Sequence, residues 1–243
     1  MEMIMKIVFA NLEKLDLNNT FENVSLIESG EQLKNTTNGD TTYVLAVSGE
    51  HMKAEGISGN EVYIPFTELA DYHKRLGWNV YFDLENYPFY QKVKKLIGKE
   101  EKPKGVLRFR RMVNQYEKKS LLTSDLYVLS SLLGKPQDIQ VKQTDQSVIP
   151  AHTIIMMDFG GGTMAHIEYT VAGQERIELE WSGIKTILEF DSDQMGSIQQ
   201  GSKASLPLAY SVDAILVSAQ KIDQELVNQL NYFSNLITGG AHS

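Results

Sequence analysis

The chain of 243 residues contains no cysteine. This absence excludes disulfide bonds, thiolate nucleophiles and cysteine-ligated zinc in a single step. It also agrees with a reducing compartment, and we therefore expect a cytoplasmic protein.

Basic residues are in the minority, because 23 Lys and Arg stand against 31 Asp and Glu and give a formal net charge of −8. A protein that binds nucleic acid nonspecifically needs a basic surface to contact the phosphates. The composition therefore predicts no nucleic-acid partner.

Long apolar runs are also missing from the sequence. No stretch approaches the roughly 20 apolar residues that a membrane-spanning helix needs. The opening residues MEMIMKIVFA pass directly into polar NLEKLDLNN, without the long apolar core and small-residue cleavage site of a signal peptide. We therefore expect neither a membrane segment nor a secretion signal.

Short apolar runs rich in β-branched residues predict the strands of the first part of the chain. They lie at Met5–Ala10, Thr42–Ser48, Glu61–Phe66 and Trp78–Leu84, with little regular pattern between the first two. A helix that begins at Thr67 and ends before Gly77 separates the last two strands. Strands that alternate with helices indicate a parallel sheet. Residues 1–85 are therefore predicted to form a truncated Rossmann-like α/β unit.

The remainder, residues 86–243, is predicted to form an α+β domain with a large, mostly antiparallel open sheet backed by helices. Helices are expected at Pro88–Ile97, Leu121–Leu133 and Ile222–Ile237. Strands are expected from Gly105 onward and at Asp138–Lys142, Thr153–Phe159, Thr163–Val171, Glu175–Trp181 and Lys185–Phe190. Turn sequences GGG, AGQ and SG join the last four strands, which predicts an antiparallel meander.

Three motifs of the second domain follow one another in a recognisable order. They are LLGKP at Leu132–Pro136, FGGG at Phe159–Gly162 and SGIKTILEFD at Ser182–Asp191. In order and spacing this segment resembles the C-terminal domain of the Gfo/Idh/MocA oxidoreductases, and the likeness extends more weakly upstream through VYIPF and YPFYQKVKKLI. The resemblance implies a nucleotide-binding domain followed by an open-sheet domain, and an NAD(P)-dependent oxidoreductase.

The nucleotide-binding turn of that family is not found here. A glycine-rich loop after the first strand lets the backbone approach a diphosphate at a helix N-terminus. In this chain NLEKLDLNNT follows the first strand, and the first glycine is Gly30. We therefore expect no cofactor, with NAD(P) as the cofactor if the family activity is retained. In that alternative the dinucleotide would lie near Asn11–Leu15 or Ser48–His51.

The family's catalytic positions are degenerate in this chain. Its proton-donating lysine, in an EKP-like motif, corresponds to Ile64, which has no exchangeable proton. Its aspartate and histidine, one helical turn apart, correspond to Ser120 and Ser124, for which helix capping is the simpler interpretation. The arginine-rich stretch after the sixth strand corresponds to Leu84–Asn86. The sequence thus predicts no conventional catalytic residues.

Other candidate residues have simpler interpretations than a site. Gly160–Gly162 is predicted to be a hairpin turn rather than a phosphate loop, because it lacks a following helix. His152, His166 and Glu168 are interpreted as surface or interface residues rather than as metal ligands, and pairing across the hairpin would set Met156 opposite His166.

Charged residues on two further elements have the same ambiguity. Arg108, Arg110 and Arg111 could clasp an acidic ligand, although a solvated strand face or a subunit contact is the favoured interpretation. His73 and Lys74 are taken as the polar edge of an amphipathic helix. Ser120, Ser124 and Asp125 together could suggest a nucleophile, but no histidine has a determinable relation to them in the sequence.

The strand TIIMMDF is apolar on both faces, whereas a sheet with one covered face should alternate. We therefore expect a second subunit on the other face, and the resemblance implies a homodimer through the C-terminal sheet. The sequence-based hypothesis is a non-catalytic, dimeric binding or assembly protein with a protein partner or a small-molecule ligand. The alternative is an NAD(P)-dependent oxidoreductase with an atypical cofactor loop.

Overall fold

The computed structural model of the protein describes residues 4–36, 38–47, 57, 59–69, 75–98, 103–113, 118–145, 148–171, 173–193 and 208–239. The chain divides into two compact units. The first unit comprises Met1–Pro88 and Leu208–Val227, and the second comprises Phe89–Pro207 and Asn228–Ser243. Residues 86–243 were all predicted to lie in the second domain, whereas this division assigns 86–88 and 208–227 to the first unit.

Twelve strands are found among the described residues: β1 (Lys6–Ala10), β2 (Val24–Ile27), β3 (Thr42–Ala46), β4 (Glu61–Pro65), β5 (Asn79–Tyr81), β6 (Gly105–Val113), β7 (Asp138–Gln143), β8 (His152–Gly160), β9 (Thr163–Val171), β10 (Arg176–Gly183), β11 (Ile187–Asp191) and β12 (Gln220–Lys221). The α-helices of the same residues are α1 (Gly30–Lys34), α2 (Asp83–Asn86), α3 (Pro88–Ile97), α4 (Lys118–Leu133), α5 (Val212–Ser218) and α6 (Gln224–Gly239).

The first unit contains a six-stranded sheet in the order β12-β5-β4-β1-β3-β2. Strands β1 to β5 are parallel to their neighbours, and β12 is antiparallel to β5. The Rossmann-like parallel sheet predicted from the sequence is therefore confirmed. In β1 the residues from Ile7 to Ala10 are fully buried, as expected for a central parallel strand that is covered on both faces.

The segment between β1 and β3 contains more structure than the sequence indicated. Two 3₁₀-helices, Leu12–Lys14 and Leu17–Asn19, lead to β2, and α1 follows. Strand β2 has only four residues at the edge of the sheet, which is too short for a clear hydrophobic period. Further along, Phe66–Glu68 forms a 3₁₀-helix where a helix was predicted to begin at Thr67, and residues 70–74, on which much of that prediction falls, lie outside the described part of the chain.

The second unit contains a sheet in the order β11-β10-β6-β9-β8-β7. Every pairing in it is antiparallel except that of β6 with β9. The prediction of a mostly antiparallel open sheet is confirmed, but the simple meander is wrong because β6 inserts between β9 and β10. Gly160–Gly162 forms the predicted turn between β8 and β9, where all three residues have positive φ angles that favour glycine.

The faces of the second sheet differ in their polarity. On the inner face Phe109, Ile155, Met157 and Ile167 have no exposed surface. On the outer face Met156 is 37% exposed. Strand β8 therefore alternates in exposure within the single chain, and the second subunit expected on its outer face stays a prediction.

A buried ionic group lies under the inner face of this sheet. Arg111 on β6 donates from Nη1 to both carboxylate oxygens of Asp125 on α4, at 2.8 and 2.9 Å, and from Nη2 to Glu175. The hydroxyl of Tyr169 also donates to Asp125, at 3.1 Å. The side chains of Arg111 and Asp125 are 0% and 1% exposed. Arg111 therefore belongs to the core and not to the solvated face predicted for it.

Replacing Arg111 with methionine should destabilise the second unit by about 3–5 kcal/mol, because it leaves a buried carboxylate without its cation. The matched change Arg108→Met affects a half-exposed pair with Glu180 and should cost about 0–1 kcal/mol. Urea unfolding followed by Trp181 fluorescence, in a Trp78→Phe background, measures both effects. Equal losses for the two variants would contradict the assignment of Arg111 as the buried counter-ion.

Candidate functional site

The three degenerate family positions lie on regular elements of the structure. Ile64 is on β4 and has no exposed surface. Ser120 and Ser124 are inside α4, which begins at Lys118, so neither is its N-terminal cap and the capping interpretation is wrong. Ser124 is 1% exposed. That these positions have lost their catalytic function stays a prediction.

The charged strand residues pair with protein groups on the outer face of the second sheet. Arg108 contacts Glu180, and Arg110 lies 3.4 Å from Glu168 and 3.5 Å from Glu178. Two of the three arginines thus occupy the solvated face that was the favoured interpretation.

The histidines of that sheet also contact protein groups. His152 Nδ1 lies 3.1 Å from the hydroxyl of Thr170 and 3.9 Å from Glu168, and Met156 pairs with His166 as predicted. Within the described residues, no three histidine or acidic side chains form a group that could hold a metal ion.

Two sequence-predicted regions cannot be placed. His73 and Lys74 lie outside the described residues, and so do Ser48–His51. Among the described residues, no α-helix is long and apolar enough to cross a membrane.

The carboxyl edge of the first sheet is where the fold places a ligand. In an open parallel sheet, ligands bind beyond the carboxyl ends of the strands, where successive connections run in opposite directions. Strand β1 has β3 on one side and β4 on the other, so this point falls at the end of β1. Asn11–Leu15 follows directly.

A lysine, an aspartate and a tyrosine come together at this edge. Lys14 Nζ lies 3.0 Å from Asp83 Oδ2, and the hydroxyl of Tyr210 donates to Asp83 Oδ1 at 2.9 Å. The side chains of Lys14 and Asp83 are 16% and 8% exposed. Because Lys14 follows β1 and Asp83 follows β5, with β4 between them, the ion pair spans the end of the strand that carries Ile64.

Phenol groups surround the ion pair. The hydroxyl of Tyr81 donates to the carbonyl oxygen of Phe9 at 2.8 Å, and the rings of Tyr81 and Tyr210 meet edge to face. Burial, and then the negative charge of Asp83, raises the pKa of both phenols well above their ordinary value. Both phenols therefore stay protonated, while Lys14 provides the positive charge beside Asp83.

The strap, which we define as residues Leu208–Ser218, holds the segment after β1 in place. The backbone of Tyr210 donates to the carbonyl oxygen of Lys14 and accepts from the amide of Asp16, both at 2.9 Å. The carboxylate of Asp213 accepts from the consecutive amides of Phe21 and Glu22 at 2.7 and 3.0 Å.

The strap is anchored by buried side chains. Tyr210, Val212 and Ile215 are at most 1% exposed. Burial of three such side chains stabilises the strap by roughly 5–9 kcal/mol. A ligand that binds with micromolar affinity gains about 8 kcal/mol. Displacing the strap would cost a comparable free energy, so such a ligand cannot displace the strap and still bind well.

The residues after β1 do not fit a dinucleotide diphosphate. The amides of Lys14, Leu15 and Asp16 are bonded to the carbonyl oxygens of Asn11, Leu12 and Tyr210, and the amide of Glu13 is bonded to the side chain of Asn11. The segment contains no glycine, and its acidic residues Glu13 and Asp16 would repel phosphate. A nucleotide-binding turn of the usual kind is thus replaced by bonds within the protein.

Neither a family model nor a curated protein matches this sequence. Solved structures do match, and dehydrogenases are among them. The agreement confirms the two-part fold that was predicted, with a Rossmann-like sheet and a second, mostly antiparallel sheet.

Two of these structures illustrate the likeness. A dehydrogenase from Chromobacterium violaceum has a TM-score of 0.60 and 10% identity, and the match covers 97% of this chain and 95% of that one. UDP-N-acetylglucosamine 3-dehydrogenase from Acidithiobacillus ferrooxidans has a TM-score of 0.50 and 12% identity, with 88% and 81% covered. At such identities the likeness extends to the fold alone.

The expectation that the chain takes no cofactor is contradicted by the same comparison. The matches include the WlbA dehydrogenase from Thermus thermophilus in complex with NAD and UDP-GlcNAcA, with 11% identity, a TM-score of 0.48, and 97% and 95% covered. The expectation was based only on the missing glycine turn, and the absence of one turn was too narrow a basis for it.

The buried phenols predict a loss of stability in alkali. The pKa of Tyr81 and of Tyr210 is raised in the folded state. The stability that the two phenols contribute is therefore complete below their ordinary pKa of 10.0 and is lost as the pH rises through their higher pKa in the folded state. Phenolate absorbance at 295 nm, recorded with circular dichroism, should show these groups titrating only as the first unit unfolds. The Tyr210→Phe variant should lose less stability above pH 10, and an unchanged alkaline transition would contradict the assignment.

Proposed function

We propose that the chain is an NAD(P)-dependent oxidoreductase with an atypical cofactor-binding edge. The observation that carries the proposal is the group formed by Lys14, Asp83 and Tyr210 at the carboxyl end of β1. Support comes from its position at the ligand-binding edge of an open parallel sheet. Further support comes from the dehydrogenases that share the fold, one of which was solved with NAD.

The chemistry of an oxidoreductase requires a proton that can reach a substrate oxygen. Ile64 has none, and its side chain is buried. Lys14 lies in the 3₁₀-helix that follows β1, but its ammonium group lies over the end of β4 and is partly exposed. In this proposal Lys14 holds the proton at Nζ, and Asp83 is its counter-ion. The residues after β1 do not fit the diphosphate of the cofactor, so the chemical roles proposed are those of Lys14 and Asp83.

The proposal predicts binding of NADH or NADPH. A ligand that binds only the folded state at a hundred times its Kd stabilises it by about 2.7 kcal/mol, which is a shift of a few degrees in Tm. Isothermal titration calorimetry and thermal unfolding of the full chain provide the measurement. If millimolar NADH and NADPH change neither signal, the proposed function fails.

Variants at two lysines serve to locate the binding. Lys14→Met should weaken dinucleotide binding by about threefold to tenfold, because it leaves the carboxylate of Asp83 facing an anionic ligand. Lys6→Met removes the same charge at the amino end of β1, where Lys6 lies 3.7 Å from Glu22, and should leave the affinity unchanged. Equal effects of the two variants would mean that the ligand binds elsewhere.

A non-catalytic binding or assembly role is the second candidate function. It is favoured by the buried aliphatic side chain of Ile64 and by the two serines on α4. Binding of a dinucleotide without turnover of any carbonyl compound would favour this role. Either role is proposed for a cytoplasmic protein.

We also propose a homodimer formed through the outer face of the second sheet. Apolar Met156 and Met164, 37% and 40% exposed, lie there beside pairs of opposite charge such as Arg108 and Glu180. A face that carries both charges complements a second copy of itself across a two-fold axis. Such a face is also suited to a protein partner of mixed charge.

The double variant Met156→Glu and Met164→Glu should convert the proposed dimer into a monomer, because it places four carboxylates at the centre of the contact. Sedimentation velocity over a range of concentrations gives the mass. The control Val217→Glu changes an apolar residue of the first unit that is 87% exposed and should leave the mass unchanged. A wild-type chain that is monomeric at micromolar concentration would rule out the dimer.

A further inference from the structure

We infer that the first part of the strap, Leu208–Asp213, is a fixed internal occupant of the turn after β1, so that a dinucleotide bound by this chain places its diphosphate outside residues 11–16. The position of the diphosphate rests on the proposed function. The occupancy of the turn by the strap concerns the protein alone.

The bonds of the strap are of the kind that a ligand would make. The carbonyl oxygen of Tyr210 accepts from the amide of Asp16, and the amide of Tyr210 donates to the carbonyl oxygen of Lys14. The side chain of Tyr210 continues inward and donates to Asp83. One residue of the strap therefore engages both the backbone of the turn and the buried carboxylate behind it.

Further along the strap, a carboxylate takes the place that an anionic ligand could take. Two consecutive backbone amides, those of Phe21 and Glu22, point at the two oxygens of Asp213. Consecutive amides of this kind form an anion-binding arrangement. Here the anion is a side chain of the same protein, on the first turn of α5.

The packing of its buried side chains keeps the strap in the turn after β1. Connections between parallel strands normally contain a helix, but the one between β1 and β2 has only two 3₁₀-turns among its described residues. Tyr210, Val212 and Ile215 are buried in the first unit, whose residues come from two separate segments of the chain. Release of the strap would expose these side chains, and a phosphate ligand offers no apolar surface to replace them.

The charges of the turn after β1 also disfavour a diphosphate there. Glu13 and Asp16 belong to the turn, and the cation of the turn, Lys14, is paired with Asp83. A diphosphate placed there would meet two carboxylates and would have to compete with Asp83 for the ammonium group. The carboxyl edge of the first sheet therefore admits a nucleotide only if residues outside 11–16 hold its diphosphate.

The test is amide hydrogen exchange by NMR on the isotopically labelled full chain, alone and with inorganic pyrophosphate, NADH or NADPH. Without ligand, the amides of Asp16 and Tyr210 should exchange at least about a hundredfold more slowly than those of an unstructured peptide. Pyrophosphate should not move the amide signals of residues 11–16, and no probe should accelerate exchange at Asp16 or Tyr210. Rapid exchange without ligand, a shift of those signals by pyrophosphate, or faster exchange at Asp16 or Tyr210 with a dinucleotide overturns the inference.

A glycine variant provides an independent measurement. If the turn held the diphosphate, Glu13→Gly would raise the affinity for NADH by removing a side chain and a negative charge; we expect a change of less than about twofold. A larger gain in affinity overturns the inference. Slow exchange at Asp16 and Tyr210 without any dinucleotide binding would support the strap as internal occupant and contradict the proposed function, whereas dinucleotide binding that leaves this exchange slow supports both.

Discussion

The first unit depends on one constraint, which is that a parallel strand buried on both faces must be covered by something. Strand β1 has four fully buried residues from Ile7 to Ala10, yet the connection that follows it has no α-helix before β2. The strap comes from a position nearly two hundred residues further along the chain, and its side chains Tyr210, Val212 and Ile215 are buried. Its helix α5 packs on α2, which follows β5, and the backbone of Tyr210 bonds to Lys14 and Asp16 of the turn.

The edge of this sheet also differs from a nucleotide-binding turn of the usual kind. A glycine loop leaves amides free for phosphate because the first N–H groups of the helix that follows have no partner within that helix. Here the amides of Lys14 and Leu15 are bonded within the turn and that of Asp16 is bonded to Tyr210 of the strap, since buried amides without acceptors are costly. The turn and the strap therefore satisfy the backbone groups that a phosphate would otherwise bond.

The sequence was informative where local signals decide the structure. Helix α3 begins at Pro88 and ends at Ile97 as predicted, because proline fixes the first turn and Gly98 follows the last. Strand β9 also has its predicted bounds, between a glycine turn and the polar residues after Val171. The insertion of β6 between β9 and β10 was not predictable, since strand order depends on pairing between distant segments.

The candidate site was missed for a similar reason. Asp83 follows an apolar strand directly, which is a usable signal for a polar group at the carboxyl edge. Nothing local relates it to Lys14 or Tyr210, which are 69 and 127 residues away in the sequence. Arg111, by contrast, was within reach of a sequence argument, because alternation in GVLRFRRMV puts it on the same face as Leu107 and Phe109 and opposite to Arg110.

The two faces of the second sheet use the same residue types for different purposes. Inside, Arg111 and Asp125 are desolvated, so each requires the other, and their pairing fixes how α4 lies on the strands. Outside, Arg108 and Arg110 face water beside glutamates, where an ion pair adds little to stability. Charges that contribute so little to folding still determine which surface can approach, because unlike charges must meet across a contact. The charge pairs of the outer face therefore add little to the stability of the single chain, and this face is the one on which we propose the homodimer.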